Sequence, residues 1–273
     1  MSSAGPLGAE GAQGAFGEPL ATGALDSPTL LPGPWASDPY LLSNHGVSRI
    51  HEAWTVPGAL VTLTSGTGRQ PGVLGLGDPA GVAQLLRELP REPVAEAHWL
   101  TVARGTSALC PEVFAETFAH FGKRSTWDWM WTDAPLRGTD PAGVERLPVG
   151  APEVEALLAV AHPHADTALD DPRLIGWWGW REDGSLVAVT GALRFAPGLA
   201  PYLVSVAVHP EHRGRRLAGK VLAAAVLDGL AERPRVGGGV SLALYASNDA
   251  ARRAYLRHGF ELRHEFESVR PQG

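Results

Sequence analysis

The chain has 273 residues, one cysteine and a formal net charge of −6, which is length enough for one large or two modest domains with real cores. A lone cysteine excludes an internal disulfide framework, and no apolar run reaches the length of a membrane span, so no membrane partner is expected. Charge is uneven: residues 1–140 hold 14 acidic and 8 basic groups, whereas residues 141–273 hold 15 of each, so a broad basic face for nucleic acid is not expected.

The first twenty residues lack the basic start and apolar stretch of a signal peptide, so the expected location is the cytoplasm. Residues 1–35 are rich in Gly, Ala, Ser and Pro, carry no Lys or Arg, and read as a flexible tail. Residues 36–135 read as an accessory αβ domain. Within it, Asp78–Leu89 opens with a capping Asp and Pro and continues with helical apolar spacing. His98–Ala103 reads as a strand, and Pro111–Phe121 as a helix closed by Gly122. Trp127, Trp129 and Trp131 alternate onto one face of a further strand, as sheet packing requires. Arg137–Gly143 reads as a linker.

Residues 141–273 form the second expected domain. Pro152–Ala161 is amphipathic. Leu174–Trp180 and Leu186–Phe195 form a hairpin around Asp183-Gly184. Tyr202–Val208 and Val240–Ala246 read as strands, Gly214–Glu232 as a long helix, Asn248–His258 as a helix stopped by Gly259, and Phe260–Val269 as a last strand. The βα alternation of both halves is compatible with two distantly similar domains.

Chemistry concentrates in Val204–Leu227, where a strand passes through a turn at Pro210 into a helix. The first N–H groups of a helix lack internal partners and sit at the positive end of its dipole, so small residues there make an anion site. One reading of Gly214–Lys220 is the Walker A pattern G-x-x-x-x-G-K, but the next residue, Val221, has no hydroxyl to hold magnesium.

The other reading is that Arg213–Ala218 resembles the cofactor signature of the GNAT superfamily of N-acyltransferases, Q/R-x-x-G-x-G/A, with Arg216 where the middle glycine stands. The run Val206-Ala207-Val208-His209-Pro210 resembles that family's strand before the loop. Ser247-Asn248 through Tyr255, with Gly259-Phe260, resembles its S-N-x-x-A-x-x-x-Y-x-x-x-G-F ending. The resemblance covers residues 141–273, and the accessory half before it is loosely similar to glycine-N-acyltransferase-like proteins.

The resemblance implies an α/β (α+β) fold with a mixed central sheet flanked by helices, preceded by a smaller αβ domain. It implies acetyl-CoA as co-substrate, a primary amine as acceptor, and no metal. Pantetheine would lie along the backbone of Val206, Ala207 and Val208, and pyrophosphate against Arg213, Gly214, Arg215, Arg216, Leu217, Ala218 and Gly219. Asn248 would also touch the cofactor, and Tyr255 would protonate the departing thiolate. Taken alone, Asn248 is an ordinary helix cap and Tyr255 a packed aromatic. Some relatives carry a glutamate where Ala243 stands. The general base therefore stays open among Glu182, Asp166, Asp170, Asp171, His162, His164 and water. His209 and His212 read as loop histidines rather than metal ligands. The alternative function is an acyl-CoA-binding regulatory module without turnover. Neither the acceptor nor the oligomeric state is legible.

Overall fold

The computed structural model describes residues 27–44, 49–65, 70–89, 97–119, 121–163, 167–232 and 238–271. Most of the expected tail, residues 1–26, lies outside them. Its end does not behave as a tail. Two short 3₁₀ turns, Pro28–Leu30 and Gly33–Ser37, lead into α1 (Pro39–Asn44), and Leu31, Tyr40 and Leu41 are buried at 3%, 5% and 1% exposure. Ser27 caps the first turn and Asp38 accepts from the amides of Tyr40 and Leu41, so short-range polar bonds fix a segment whose apolar residues are too few to show a period.

Three antiparallel strands follow: β1 (Arg49–Val56), β2 (Ala59–Ser65) and β3 (Gly72–Gly77). Helix α2 (Pro79–Glu88) then crosses to β4 (Leu100–Ala103), which is parallel to β3. Short helices α3 (Thr106–Leu109) and α4 (Pro111–Glu116) precede the long β5 (Phe121–Thr132). The second half adds β6 (Glu145–Leu147), α5 (Pro152–Ala161), and an antiparallel run of β7 (Leu174–Glu182), β8 (Ser185–Leu193) and β9 (Tyr202–Val208). Then come α6 (Leu217–Ala231), β10 (Val240–Tyr245) parallel to β9, α7 (Asp249–His258) and β11 (Glu261–Pro271).

All eleven strands join one mixed sheet in the order β1-β2-β3-β4-β11-β5-β10-β9-β8-β7-β6. Each half repeats one plan: three antiparallel strands, a helical crossover to a parallel strand, a helical segment, and a long antiparallel strand. The long strands are exchanged. β5 leaves the first half to pair with β10, and β11 leaves the second half to pair with β4, while β5 and β11 pair with each other along ten register positions. The expected division between residues 135 and 141 falls in the loop after β5, but the strand before that loop is a neighbour of β10. The halves are therefore tied through the middle of the sheet rather than joined by a linker alone.

Both faces are covered. On one, α6 and α7 bury Leu222, Val226 and Tyr255 against Met130, Leu242 and Leu244, and α2 and α4 bury Val82, Leu85 and Phe114 against Val73, Leu100 and Val102. On the other, α5 buries Val154, Leu157 and Leu158 against Trp177, Val189 and Ala207. The 3₁₀ turns and α1 cover Ile50, Leu74, Trp129 and Phe266. Trp129 is fully buried with Tyr40 edge-on at 5.3 Å, so the tryptophan row is sheet packing. Removing one such indole from water is worth about 4–6 kcal/mol before the entropic cost of ordering it.

Two helix boundaries differ from the sequence reading for a reason the structure shows. The helix at Pro111 ends at Glu116, and Gly122 belongs to β5, because β5 must reach back to Phe121 to pair with Pro271 of β11. The long helix starts at Leu217 rather than Gly214, because Arg216 at φ +60° is left-handed and breaks the helical path.

Candidate active site

The site is built where β9 and β10 part. They pair only at Tyr202↔Ser241 and Leu203↔Leu242. Beyond Leu203 no residue of β9 has a partner on β10. A bulge widens the gap: on β8, Val189 faces Ala207 and Gly191 faces Val204, so two β9 residues stand against Thr190 alone. The extra residue is Ser205, at φ +50°. A bulge re-aims the strand and locally disrupts the ladder, leaving the β9 backbone open toward the cleft at Val206–Val208. No sequence signal marks this bulge, since serine at positive φ carries no glycine-like signature.

From β9 the chain turns through Pro210–His212 into a loop that is left-handed at Gly214 (φ +79°) and again at Arg216 (φ +60°) before α6 begins. The arginine thus holds the backbone conformation that a glycine adopts freely. Gly214 faces open space. Gly219 does not: an added Cβ would lie 3.0 Å from His258 Nε2 and 3.3 Å from Thr139 Oγ1, and its amide donates to Arg216 O. Gly219 is the packing position that brings α6 onto α7, not part of the loop's open side. Leu217 is buried with Val187, Ala188 and Val221, while Ala218 is half-buried. Lys220 lies inside α6 with Nζ 3.8 Å from the Trp180 ring centre, so no phosphate loop of the Walker type ends there.

Two of the loop's arginines are anchored. Arg213 donates to Val208 O and Ala161 O, both at 3.3 Å, the latter at the negative end of α5. Arg215 and His212 both reach Glu182 Oε2, His212 Nδ1 at 2.9 Å. Burial pushes the Glu182 carboxyl up, but its bonds to His212 and Arg215 outweigh this and leave it below the ordinary glutamate value. Glu182 therefore stands ionised beside the loop. Asp171 is paired to Arg173, His162 and Asp170 are exposed, and His164 and Asp166 lie outside the described residues. His209, Glu211 and His212 each bring one ligand atom within 4.8 Å of the others. The Arg215 guanidinium is 3.2 Å from His212 Nδ1, however, so the local charge favours an anion over a second cation.

On the far side of the cleft, Asn248 is the exposed N-cap of α7, accepting from the Ala251 amide at 3.1 Å. Tyr255 lies two turns on in the core layer with Val206, Leu222 and Leu244, its ring 5.8 Å from that of Phe260. Burial pushes its hydroxyl pKa up to about 12, so it keeps its proton at neutral pH. Gly259 at φ +104° closes the helix. Val206 and Tyr255 thus share one apolar layer, the 213–216 loop follows β9 after one short turn, and Gly219 sets α6 against His258 of α7.

Residues 126–260 match the Acetyltransferase (GNAT) family, a span running from β5 to the end of α7. The chain carries a GNAT acetyltransferase domain. It is an acyltransferase of that type, and β5, from the first half, belongs to the match. Among solved structures, an acetyltransferase described as of the GNAT family from Novosphingobium aromaticivorans is 25% identical over 74% of this chain and 86% of that one, with a TM-score of 0.47. A GCN5-related N-acetyltransferase from Kribbella flavida is 21% identical over 81% and 90%, with a TM-score of 0.46. A Drosophila protein, 13% identical over 81% and 79% at a TM-score of 0.50, shares the fold alone. No curated protein matches the sequence.

The first half repeats the element order of the second but differs at the junction after its third strand. β3 and β4 likewise pair at only two positions, Val73↔Leu100 and Leu74↔Thr101. Yet between β3 and α2 stands one residue, Asp78, whose Oδ2 accepts from the Gly81 amide at 3.0 Å. α2 packs close on β3: a Cβ on Gly75 would lie 2.6 Å from Val82. The aromatic buried from α4 is Phe114, which has no hydroxyl.

Proposed function

We propose that this acyltransferase moves an acetyl, or short acyl, group from acetyl-CoA to a primary amine. The observation that carries the reading is the parting of β9 from β10 at a bulge, directly before a left-handed loop and the free end of a fifteen-residue helix. Acetyl-CoA, as co-substrate, supplies an activated thioester. Backbone groups of Val206–Val208 fit an extended amide-bearing arm, as a missing strand would. The Gly214–Arg216 loop and the start of α6 fit its phosphates.

The protein's own part is threefold. Fixed N–H groups in the opened stretch of β9 stabilise the oxyanion that develops on the acyl carbon. Tyr255 keeps its proton to high pH and gives it to the leaving sulfur. The cleft holds both reactants adjacent, removing the entropic cost of their encounter. Glu182, bound to the phosphate loop, serves that loop rather than deprotonating the amine. The attacking amine gives up its proton to solvent. The reading adds no metal.

Thermal shift and calorimetry with acetyl-CoA test this. The ligand should raise the melting temperature by mass action. Gly214→Asp should weaken binding by about tenfold or more, because it sets an anion in the open side of the loop. Its side chain meets no neighbour, so the fold should persist with about 1 kcal/mol of backbone strain. Unchanged affinity in the folded variant would remove the loop from the cofactor site.

A further inference from the structure

Asp128 stands between two tryptophans on β5, where alternation sends it to the opposite face, with Met130, beneath α7. It is completely buried. Two guanidiniums close on it: Arg104, just after β4, on one carboxylate oxygen, and Arg252, in the first half of α7, on the other. Glu265 of β11, half-exposed, balances the charge, 2.8 Å from Arg104 and 3.9 Å from Arg252. Arg252 also donates to Ala246 O at 3.3 Å, in the turn before Asn248.

This cluster is poorly explained as a stabilising device. A buried ion pair repays its desolvation only when every remaining donor is satisfied. Here Nε of both arginines is buried and unbonded, and Arg252 meets Asp128 Oδ2 as an ion pair without hydrogen-bond geometry. What the cluster fixes is position. Asp128 is itself held rigid by ladders to β10 and β11, opposite Leu244 and Glu265. Arg252 lies three residues ahead of Tyr255, one turn along the same side of α7. The short α7 buries little apolar surface of its own; Tyr255 is its one buried side chain.

We infer that Asp128 is a positioning residue for acyl transfer: through Arg252 it sets the placement of the helix that carries Tyr255. The first half of the chain thereby holds the proton donor of the second in register. The inference rests on the reading of Tyr255 given above.

Arg252→Met and Arg104→Met remove the same charge from the same carboxylate, but only Arg252 lies on α7. In the full chain, Arg252→Met should lower kcat by about 10- to 100-fold, with KM for acetyl-CoA within about twofold, since an ångström of misplacement costs on that order. Hydrogen exchange should quicken across residues 249–258. Arg104→Met should leave kcat within about twofold at a comparable loss of melting temperature. The assay uses thiol release from acetyl-CoA with the best acceptor of a primary-amine panel. Equal kcat losses in the two variants would reduce the cluster to a structural role and overturn the inference. Unchanged exchange over 249–258 in Arg252→Met would overturn it even if the wild-type protein transferred to no amine, a result that would count against the proposed function instead. If Arg252→Met does not fold, Arg252→Lys, which keeps the charge without the fork, supports the same comparison.

Discussion

Asp78 places its carboxylate 3.0 Å from the Gly81 amide at the start of α2, the position that Arg216 leaves without a side-chain cap at the start of α6. One helix start already holds an anion and the other does not. Together with the eight residues separating β9 from α6, against one between β3 and α2, this predicts one acetyl-CoA per chain. Calorimetric titration should give a stoichiometry near one, with the affinity weakened in Gly214→Asp and retained in Asp78→Asn. Two equivalents would show that the β3–β4 cleft opens.

Arg216 itself yields a second prediction. A non-glycine residue in the left-handed region costs about 1–2 kcal/mol. Glycine removes that cost but adds backbone entropy to the unfolded chain, about 0.5–1 kcal/mol. Arg216→Gly should therefore stabilise the protein by about 0.5–1 kcal/mol in chemical denaturation. If its exposed side chain contributes to phosphate binding, acetyl-CoA affinity should fall by a few fold at the same time. Destabilisation would mean that the arginine makes a contact that outweighs the strain.

Residues 28–41 pack as part of the core. Leu31 and Tyr40 belong to the apolar layer over Trp129 and Phe266, with Trp35 packed against it, and Asp38 ties that layer to His264 on β11 at 3.0 Å. Deleting residues 1–38 uncovers this face and should lower the melting temperature by at least about 10 °C, since losing one buried Leu-sized side chain costs about 2–5 kcal/mol and one kcal/mol shifts a large domain by about 2–4 °C. Deleting residues 1–26 should cost much less. Equal effects would mean that the 3₁₀ turns contribute nothing to the layer.

How far the sequence carries is visible in the same residues. Helix α5 and strand β9 fall on the expected bounds because alternation, Pro152 and the flanking loops are local signals. The turn from β9 into a helix is legible in Val204–Leu227, and α7 in the spacing from Asn248 to Tyr255. The exchange of β5 and β11 is not, because pairing between strands more than a hundred residues apart leaves no local period. Nor is the role of Asp128 legible, because its partners Arg104 and Arg252 follow only from the sheet order. Gly219 looked phosphate-facing by its place in the motif, and only the packing of α7 shows that it faces His258.

The last prediction concerns Tyr255. Its hydroxyl pKa is raised from 10.0 to about 12 by burial, so at neutral pH it is a donor and never a base. Tyr255→Phe keeps the ring, and with it the contact to Phe260 and the layer under α6. Removing a general acid typically costs ~10²–10⁴-fold in kcat, and acetyl-CoA affinity should hold. The variant also has a pH signature. A tyrosine whose folded pKa is raised favours the folded state fully below its unfolded pKa and loses that contribution as pH rises toward the folded one. The wild-type protein should thus lose stability between about pH 10 and 12 by a component that the phenylalanine variant lacks. Asn248→Ala serves as the contrast. As the observed cap of α7 it should cost about 1 kcal/mol of stability, and it should weaken acetyl-CoA binding only if the side chain also meets the cofactor. A Tyr255→Phe protein with undiminished turnover and an unaltered alkaline transition would show that the hydroxyl takes no part in transfer and that the thiolate is protonated from solvent.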